Sequence, residues 1–117
     1  MYKILHEIKL KERCTTVAFD KNDEYFAFSE GNSLKIYNKY DLNIIDEDSY
    51  NTDASNIIKV KDDIVYAKFS HNGDRLAVSD FEYKINIYDV TSNFKELCTI
   101  EPGSCKIIYN FFFLNLI

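Results

Sequence analysis

The sequence predicts an all-β chain built on one repeated unit, and three observations carry that prediction. First, "VAFDKNDEYFAFSE" (17–30) and "AKFSHNGDRLAVSD" (67–80) share an outline at an offset of 50 residues, with Phe19 on Phe69, Asn22 on Asn72, Ala27 on Ala77 and Ser29 on Ser79. Second, each copy divides into short runs of alternating apolar and polar residues bounded by turn formers, the period of an extended strand. Third, β-branched and aromatic residues fill those runs, Pro102 is the single proline, and apolar residues at helical spacing are missing. Repetition at this length marks a stacked or radial architecture.

The elements follow in order. "YKILHEI" (2–8) reads as an outer strand, and the runs 15–19, 25–29 and 33–37 form a first triplet. "NIIKV" (56–60) is a further apolar run before a second triplet at 64–69, 75–79 and 84–88. "SLKIYN" (33–38) meets "KINIYD" (84–89) at an offset of 51, so the second copy has one extra residue in the preceding turn, where insertions are tolerated. Asn72-Gly73 predicts a tight reversal with positive φ, and Asn22-Asp23 the same in the first copy. "EGN" (30–32) supplies another glycine hairpin loop. The acidic stretch at 41–56 reads as a solvated loop. A third copy begins at "KIIYNFFF" (106–113) and stops at "LNLI" without a second strand.

A chain of 117 residues is one domain or a piece of one, and 46% hydrophobic content is enough for a core. A net charge of −5, with 14 basic residues scattered among 19 acidic ones, argues against a nucleic-acid surface. No run approaches the roughly 18 apolar residues that span a bilayer. The N-terminus alternates instead of forming the apolar block of a signal peptide, so the expected setting is cytoplasmic, with no membrane partner. Cys14, Cys98 and Cys105 lack CxxC spacing and read as small buried thiols in a reducing compartment.

At this point the residues resemble the WD40 repeat. Phe69-Ser70-His71-Asn72-Gly73 stands where that family has Phe-Ser-Pro-Asp-Gly, Leu76-Ala77 matches Leu-Ala, and Ile87-Tyr88-Asp89 replaces Ile-Trp-Asp. The first copy matches through Val17-Ala18-Phe19, Phe26-Ala27 and Ile36-Tyr37-Asn38. The resemblance implies a partial WD40-like β-propeller: about two four-stranded antiparallel blades plus the start of a third. It places a repeat region at 1–112, with blades at about 13–60 and 63–100, and leaves 113–117 as a truncated or non-native tail. The family's Gly-His pair is missing and Lys59-Val60 takes its place in the second copy. Tyr37 and Tyr88 replace tryptophan, and Glu82 sits where the turn Asp belongs. These departures imply that packing holds the blades in place of the family's Trp-Ser-His-Asp hydrogen bonds. Propellers close with about 4 to 8 blades, so further blades or self-association are expected to complete the ring.

Catalytic chemistry is not legible. His6 and His71 have no nucleophile or carboxylate partner in the pattern and read as solvated surface residues. Ser29 and Ser33 lie outside any nucleophile elbow, and Asp62-Asp63 and Asp46-Glu47-Asp48 lack the spacing of a calcium loop. The reading is therefore not an enzyme, with no cofactor and no metal. The resemblance implies a protein-interaction module acting as scaffold or adaptor, whose rim carries "KER" (11–13), "EGN", "KDD" (61–63) and "DFEY" (80–83). The candidate partner-binding residues are Glu30, Asn32, Lys61, Asp62, Phe81, Glu82 and Tyr83, with the loop aromatics as the anchors. "FSHNGDRLAVSDFEYKINIYDV" (69–90) is also similar to late repeats of the actin-interacting proteins that help cofilin dismantle filaments. That likeness implies actin or cofilin as partner.

Overall fold

The computed structural model describes residues 8–22, 24–38, 54 and 56–101. The first sheet is formed by β1 (Val17–Phe19), β2 (Tyr25–Glu30), β3 (Ser33–Asn38) and β4 (Asn56–Lys59), hydrogen-bonded in that order. The second repeats the arrangement with β5 (Ile64–Phe69), β6 (Arg75–Asp80), β7 (Ile85–Asp89) and β8 (Lys95–Ile100). Every pairing is antiparallel. The fold is all-β, as the alternation predicts.

The register reproduces the repeat. Ala18 faces Ala27 and Ala27 faces Ile36 in the first sheet; Lys68 faces Ala77 and Ala77 faces Ile87 in the second. The apolar run at 56–60, which precedes the second triplet in sequence, pairs instead with β3 and completes the first sheet. β8 was not legible as a strand, because an edge strand with residues 95–99 all exposed carries little apolar signal. β1 starts two residues later than the pattern implies. The N–H groups of Thr15 and Thr16 both donate to Ser29 Oγ, at 2.9 and 3.1 Å.

The tight Asn72-Gly73 reversal gives way to a wider loop, while the Asn22-Asp23 reading falls on Asp23, outside the described residues. Residues 70–74 link β5 to β6, and within them positive φ occurs only at Gly73 (78°). A two-residue turn of the expected kind would need it at both central positions. The wider loop is held by its own polar groups: Ser70 N–H donates to the Arg75 carbonyl at 2.8 Å, and Arg75 N–H donates to Ser70 Oγ at 2.9 Å. In the first copy Asp20 takes the equivalent place, accepting from Glu24 N–H at 2.8 Å.

Alternation gives each sheet two faces. Paired residues place Val17, Phe19, Phe26, Phe28 and Tyr37 on the front of the first sheet, and Ala18, Ala27, Ser29, Leu34, Ile36 and Ile58 on its rear. The rear residues, Ser29 aside, share one buried cluster with Ala67, Phe69, Leu76, Val78 and Tyr88 from the front of the second sheet. The sheets therefore stack rear to front. Leu34, Ile36 and Leu76 are each 0% exposed, and each such side chain contributes about 1.5–3 kcal/mol relative to exposure. Across the seam, Phe94 meets Tyr25 edge-on with centroids 5.4 Å apart.

Packing does not act alone, contrary to the expectation from the missing family residues. Thr15 Oγ1 donates to the Ile64 carbonyl at 2.6 Å, and Ala67 N–H donates to Thr16 Oγ1 at 3.3 Å. Ser29, fully buried, orients both threonines. A Thr-Thr-Ser group thus joins the two sheets with hydroxyls. Tyr37 and Tyr88 do fill buried positions, at 1% and 6% exposure. Burial holds the Tyr88 hydroxyl above its ordinary pKa.

Cys14 and Cys98 are exposed free thiols, which corrects the expectation of buried ones. Cys14 precedes β1, and Cys98 lies on the edge strand β8, so neither position is packed between sheets. The readings at 2–7, the acidic stretch at 41–53, the third copy at 106–113 and the tail at 113–117 lie outside the described residues, as do His6 and Cys105.

Candidate functional site

The site is built from the turns at one rim. The hairpin between β2 and β3 is closed by Gly31 and Asn32, with the positive φ at Gly31 (60°), where a glycine carries it at least cost. Gly31 N–H donates to the Arg13 carbonyl at 3.0 Å, and Ile64 N–H donates to the Gly31 carbonyl at 2.9 Å. Asn32 exchanges two bonds with Val60: its carbonyl accepts from Val60 N–H at 2.9 Å, and its Nδ2 donates to the Val60 carbonyl at 3.0 Å. Phe81 N–H donates to the Asp63 carbonyl at 3.1 Å. Hydrogen bonds thus link segments 11–13, 30–32, 60–64 and 80–83 in succession.

The turn between β6 and β7 is organised by Asp80, a residue that sequence reasoning passed over. Its Oδ1 accepts from Glu82 N–H at 2.9 Å and Lys84 N–H at 3.2 Å, while its own carbonyl accepts from Tyr83 N–H at 3.0 Å. Asp80 is 5% exposed. The turn acid is therefore Asp80 and not Glu82, because a short carboxylate bonds the backbone two residues on. The usable signal was an Asp at the strand end before an aromatic loop. With the turn held from inside, Phe81 and Tyr83 project outward at 56% and 78% exposure. Tyr83 has a φ of 65°, a left-handed conformation that costs a non-glycine residue roughly 1–2 kcal/mol.

The remaining candidates divide by what they already hold. Glu30 accepts from Lys35 Nζ at 2.9 Å and from Lys11 N–H at 2.8 Å. The Lys35 hydrogen bond lowers the Glu30 pKa, and the same contact raises that of Lys35. Glu30 and Asn32 therefore spend their side chains on holding the rim together. Lys61 and Glu82 are exposed, and Glu82 makes only a loose 3.7 Å pair with Lys84. Asp62 is half-buried, and among the described residues its Oδ2 is a buried acceptor without a donor. The surface left for a partner is a pair of aromatic rings flanked by Lys61, Asp62 and Glu82. Among the described residues no group of three or more His, Cys, Asp or Glu side chains could hold a metal ion.

Comparison with known proteins bears on the fold. No protein-family model matches the sequence, and no curated protein matches it. Solved structures do match. The RRP9 WD40 repeats superpose with a TM-score of 0.65 over 83% of this chain, at 13% identity. U3-55K gives 0.65 over 83%, also at 13% identity. The fold is WD40-like. Hydrazine synthase from Kuenenia stuttgartiensis matches with a TM-score of 0.67 over 86% of this chain, at 15% identity. The chain spans 27%, 28% and 29% of the hydrazine synthase, RRP9 and U3-55K chains, respectively. At these identities the likeness speaks to architecture and not to activity.

Proposed function

We propose that the chain is a non-catalytic, cytoplasmic protein-interaction module that engages its partner through the rim at 61–63 and 80–83. The observation that carries this reading is the Asp80-locked turn. A buried carboxylate fixes a backbone in which Tyr83 is strained, and the outcome is two large rings facing solvent. Strain held in place by a dedicated buried group points to use of what it displays. Exposed aromatics with a polar surround have the composition of an interface anchor. Lys61 and Glu82 would set orientation at the edge of such a contact.

The test compares the wild-type chain with a Phe81→Ser/Tyr83→Ser double variant in quantitative affinity capture. The reading expects a protein recovered with the wild type and lost at least about tenfold with the variant, whose far-UV spectrum is unchanged. Equal recovery of every bound protein by both chains contradicts it. Actin is the first named partner to assay, since the resemblance at 69–90 implies it. Co-sedimentation with filaments, with and without cofilin, supports that assignment if the double variant fails to pellet where the wild type does. Absence of wild-type pelleting and of any change in disassembly removes actin while leaving the rim open to other partners.

A further inference from the structure

Asn72 is the one asparagine in the chain that is followed by glycine. It is exposed in the loop 70–74 between β5 and β6, at the end of β6 opposite the rim at 80–83. We propose that Asn72 is a site of covalent modification that needs no enzyme, converted in the folded protein to aspartate and isoaspartate. The Gly73 nitrogen attacks Asn72 Cγ and the new C–N bond closes a five-membered succinimide. The side-chain nitrogen leaves as ammonia, carrying away the proton that Gly73 gives up. Water then opens the ring at either carbonyl. One opening restores the ordinary main chain with a carboxylate at 72; the other routes the main chain through the former side chain, which is isoaspartate.

The loop favours this attack in two ways and restrains it in one. Gly73 has no side chain to block the approach: leaving out its chain neighbours, the nearest atoms to where a β-carbon would stand are Asn22 Nδ2 at 3.8 Å and Asp20 Oδ2 at 3.9 Å. Its φ of 78° costs a glycine little, so the backbone can turn its nitrogen towards Asn72. Ser70 Oγ lies 3.1 Å from Asn72 Oδ1, the oxygen on which negative charge develops, and its hydroxyl serves as an oxyanion donor. That one proton is shared with Asp74 Oδ1, an acceptor at 3.0 Å. The restraint is the bond from Gly73 N–H to the Ser70 carbonyl at 3.0 Å, which makes conversion slower than in the unfolded chain.

Other asparagines lack this combination. Asn22, also exposed, holds the same place in the first copy but is followed by Asp23, whose side chain crowds the nitrogen. Asn32 precedes the small Ser33, yet its Nδ2 is held by the Val60 carbonyl at 3.0 Å. Asn93 is followed by Phe94, a core residue. The consequence falls where the two sheets meet, since Lys21 Nζ and His71 Nε2 of the facing turns lie 3.4 Å apart. Aspartate at 72 adds a charge beside Asp74. Isoaspartate adds one CH2 to the main chain between Ser70 and Arg75, whose reciprocal bonds set the loop width, and so loosens this contact.

The experiment incubates the full chain at neutral and mildly alkaline pH and follows its peptides by mass spectrometry, with chromatography separating aspartate from isoaspartate. The peptide carrying residue 72 is expected to gain one mass unit, in both forms, at least about tenfold faster than those carrying Asn22 and Asn32. The rate is expected to rise with pH, because the attacking nitrogen must lose its proton. Asn72→Gln, which would need a six-membered ring, is expected to stay unmodified over the same period, with circular dichroism checking its fold. Chains fractionated for isoaspartate are expected to unfold at lower urea than an Asn72→Asp chain. Conversion in urea with none in the folded chain overturns the proposal. So does conversion of Asn22 or Asn32 at the rate of Asn72, and so does a mass gain that persists in Asn72→Gln. Equal urea midpoints overturn the effect assigned to the contact between the sheets.

Discussion

Phe19 and Phe69 hold the same place in two copies of one unit, yet Phe19 is 69% exposed and Phe69 only 4%. The two sheets share strand order, and Phe19 and Phe69 hold the same place in the pairing, opposite Phe26 and Leu76, so the difference is not local. It comes from stacking. Phe69 lies on the front that receives the neighbouring sheet, and Phe19 lies on the front that receives none among the described residues. A repeat specifies the shape of its unit, while position in the stack decides which faces become core. The polar groups tell the same story. Thr16 is buried at 7% because β5 lies behind it, and its counterpart Tyr66, with nothing equivalent behind it among the described residues, is 54% exposed.

Substitution at the paired positions breaks this comparison most sharply. Phe69→Ala should cost about 3–5 kcal/mol of unfolding free energy, the range for a buried aromatic, and Phe19→Ala well under about 1 kcal/mol. Urea titration of both variants reads the contrast, and similar costs would mean that the two fronts are equally buried. The turns offer a smaller contrast. Asp80→Ala removes an acceptor from two backbone N–H groups and should cost about 1–3 kcal/mol, accompanied by loss of order at Phe81 and Tyr83 visible in their proton resonances. Gly31→Ala, at a φ of 60°, should cost about 1 kcal/mol, since the Glu12 side chain that a methyl would meet can swing aside.

The smallest effect is electrostatic. The Lys35 hydrogen bond holds Glu30 below its ordinary value of 4.5, so this carboxylate stabilises the fold above about pH 4.5 and the contribution disappears as pH falls through its lowered folded value. Lys35 is raised above 10.5 by the same contact, so its share is present below that pH and is lost as pH rises through the higher folded value. The pair is partly solvated, with side-chain exposures of 27% for Lys35 and 12% for Glu30, and should be worth under about 1 kcal/mol. Denaturation midpoints of wild type and Glu30→Gln should therefore differ slightly at pH 7 and converge towards pH 3. A difference that persists unchanged into acid would assign the effect to something other than the ion pair.

Much of the fold was legible because its signal is periodic. Residues 64–69 read as a strand from their apolar, β-branched and aromatic content, and β5 spans Ile64–Phe69, with a bulge between Ile64 and Tyr66 that interrupts the alternation. β8 was hidden because "KELCTI" is an edge strand with most side chains in solvent. The turn between β5 and β6 was misread as a two-residue reversal because the Asn-Gly signal is local, while Ser70 and Arg75 decide the loop width from either end. At the rim, composition alone flagged Phe81 and Tyr83. Asp80 escaped notice because a residue that ends a strand and caps a turn belongs to neither pattern. The Thr15-Thr16-Ser29 group escaped for another reason: it acts between sheets, and partners 49 and 51 residues away have no periodicity to show.

The stacking of the two sheets is tested most directly at the Ala67 amide, which leaves the strand ladder to reach a hydroxyl of the other sheet. Hydrogen exchange followed by NMR should find it protected to nearly the same degree as the central amides of β6. Thr16→Val should then raise its exchange rate well beyond any change at β6. An Ala67 amide that exchanges freely in the wild type, or one indifferent to the loss of the Thr16 hydroxyl, would mean that the two copies do not lie rear to front.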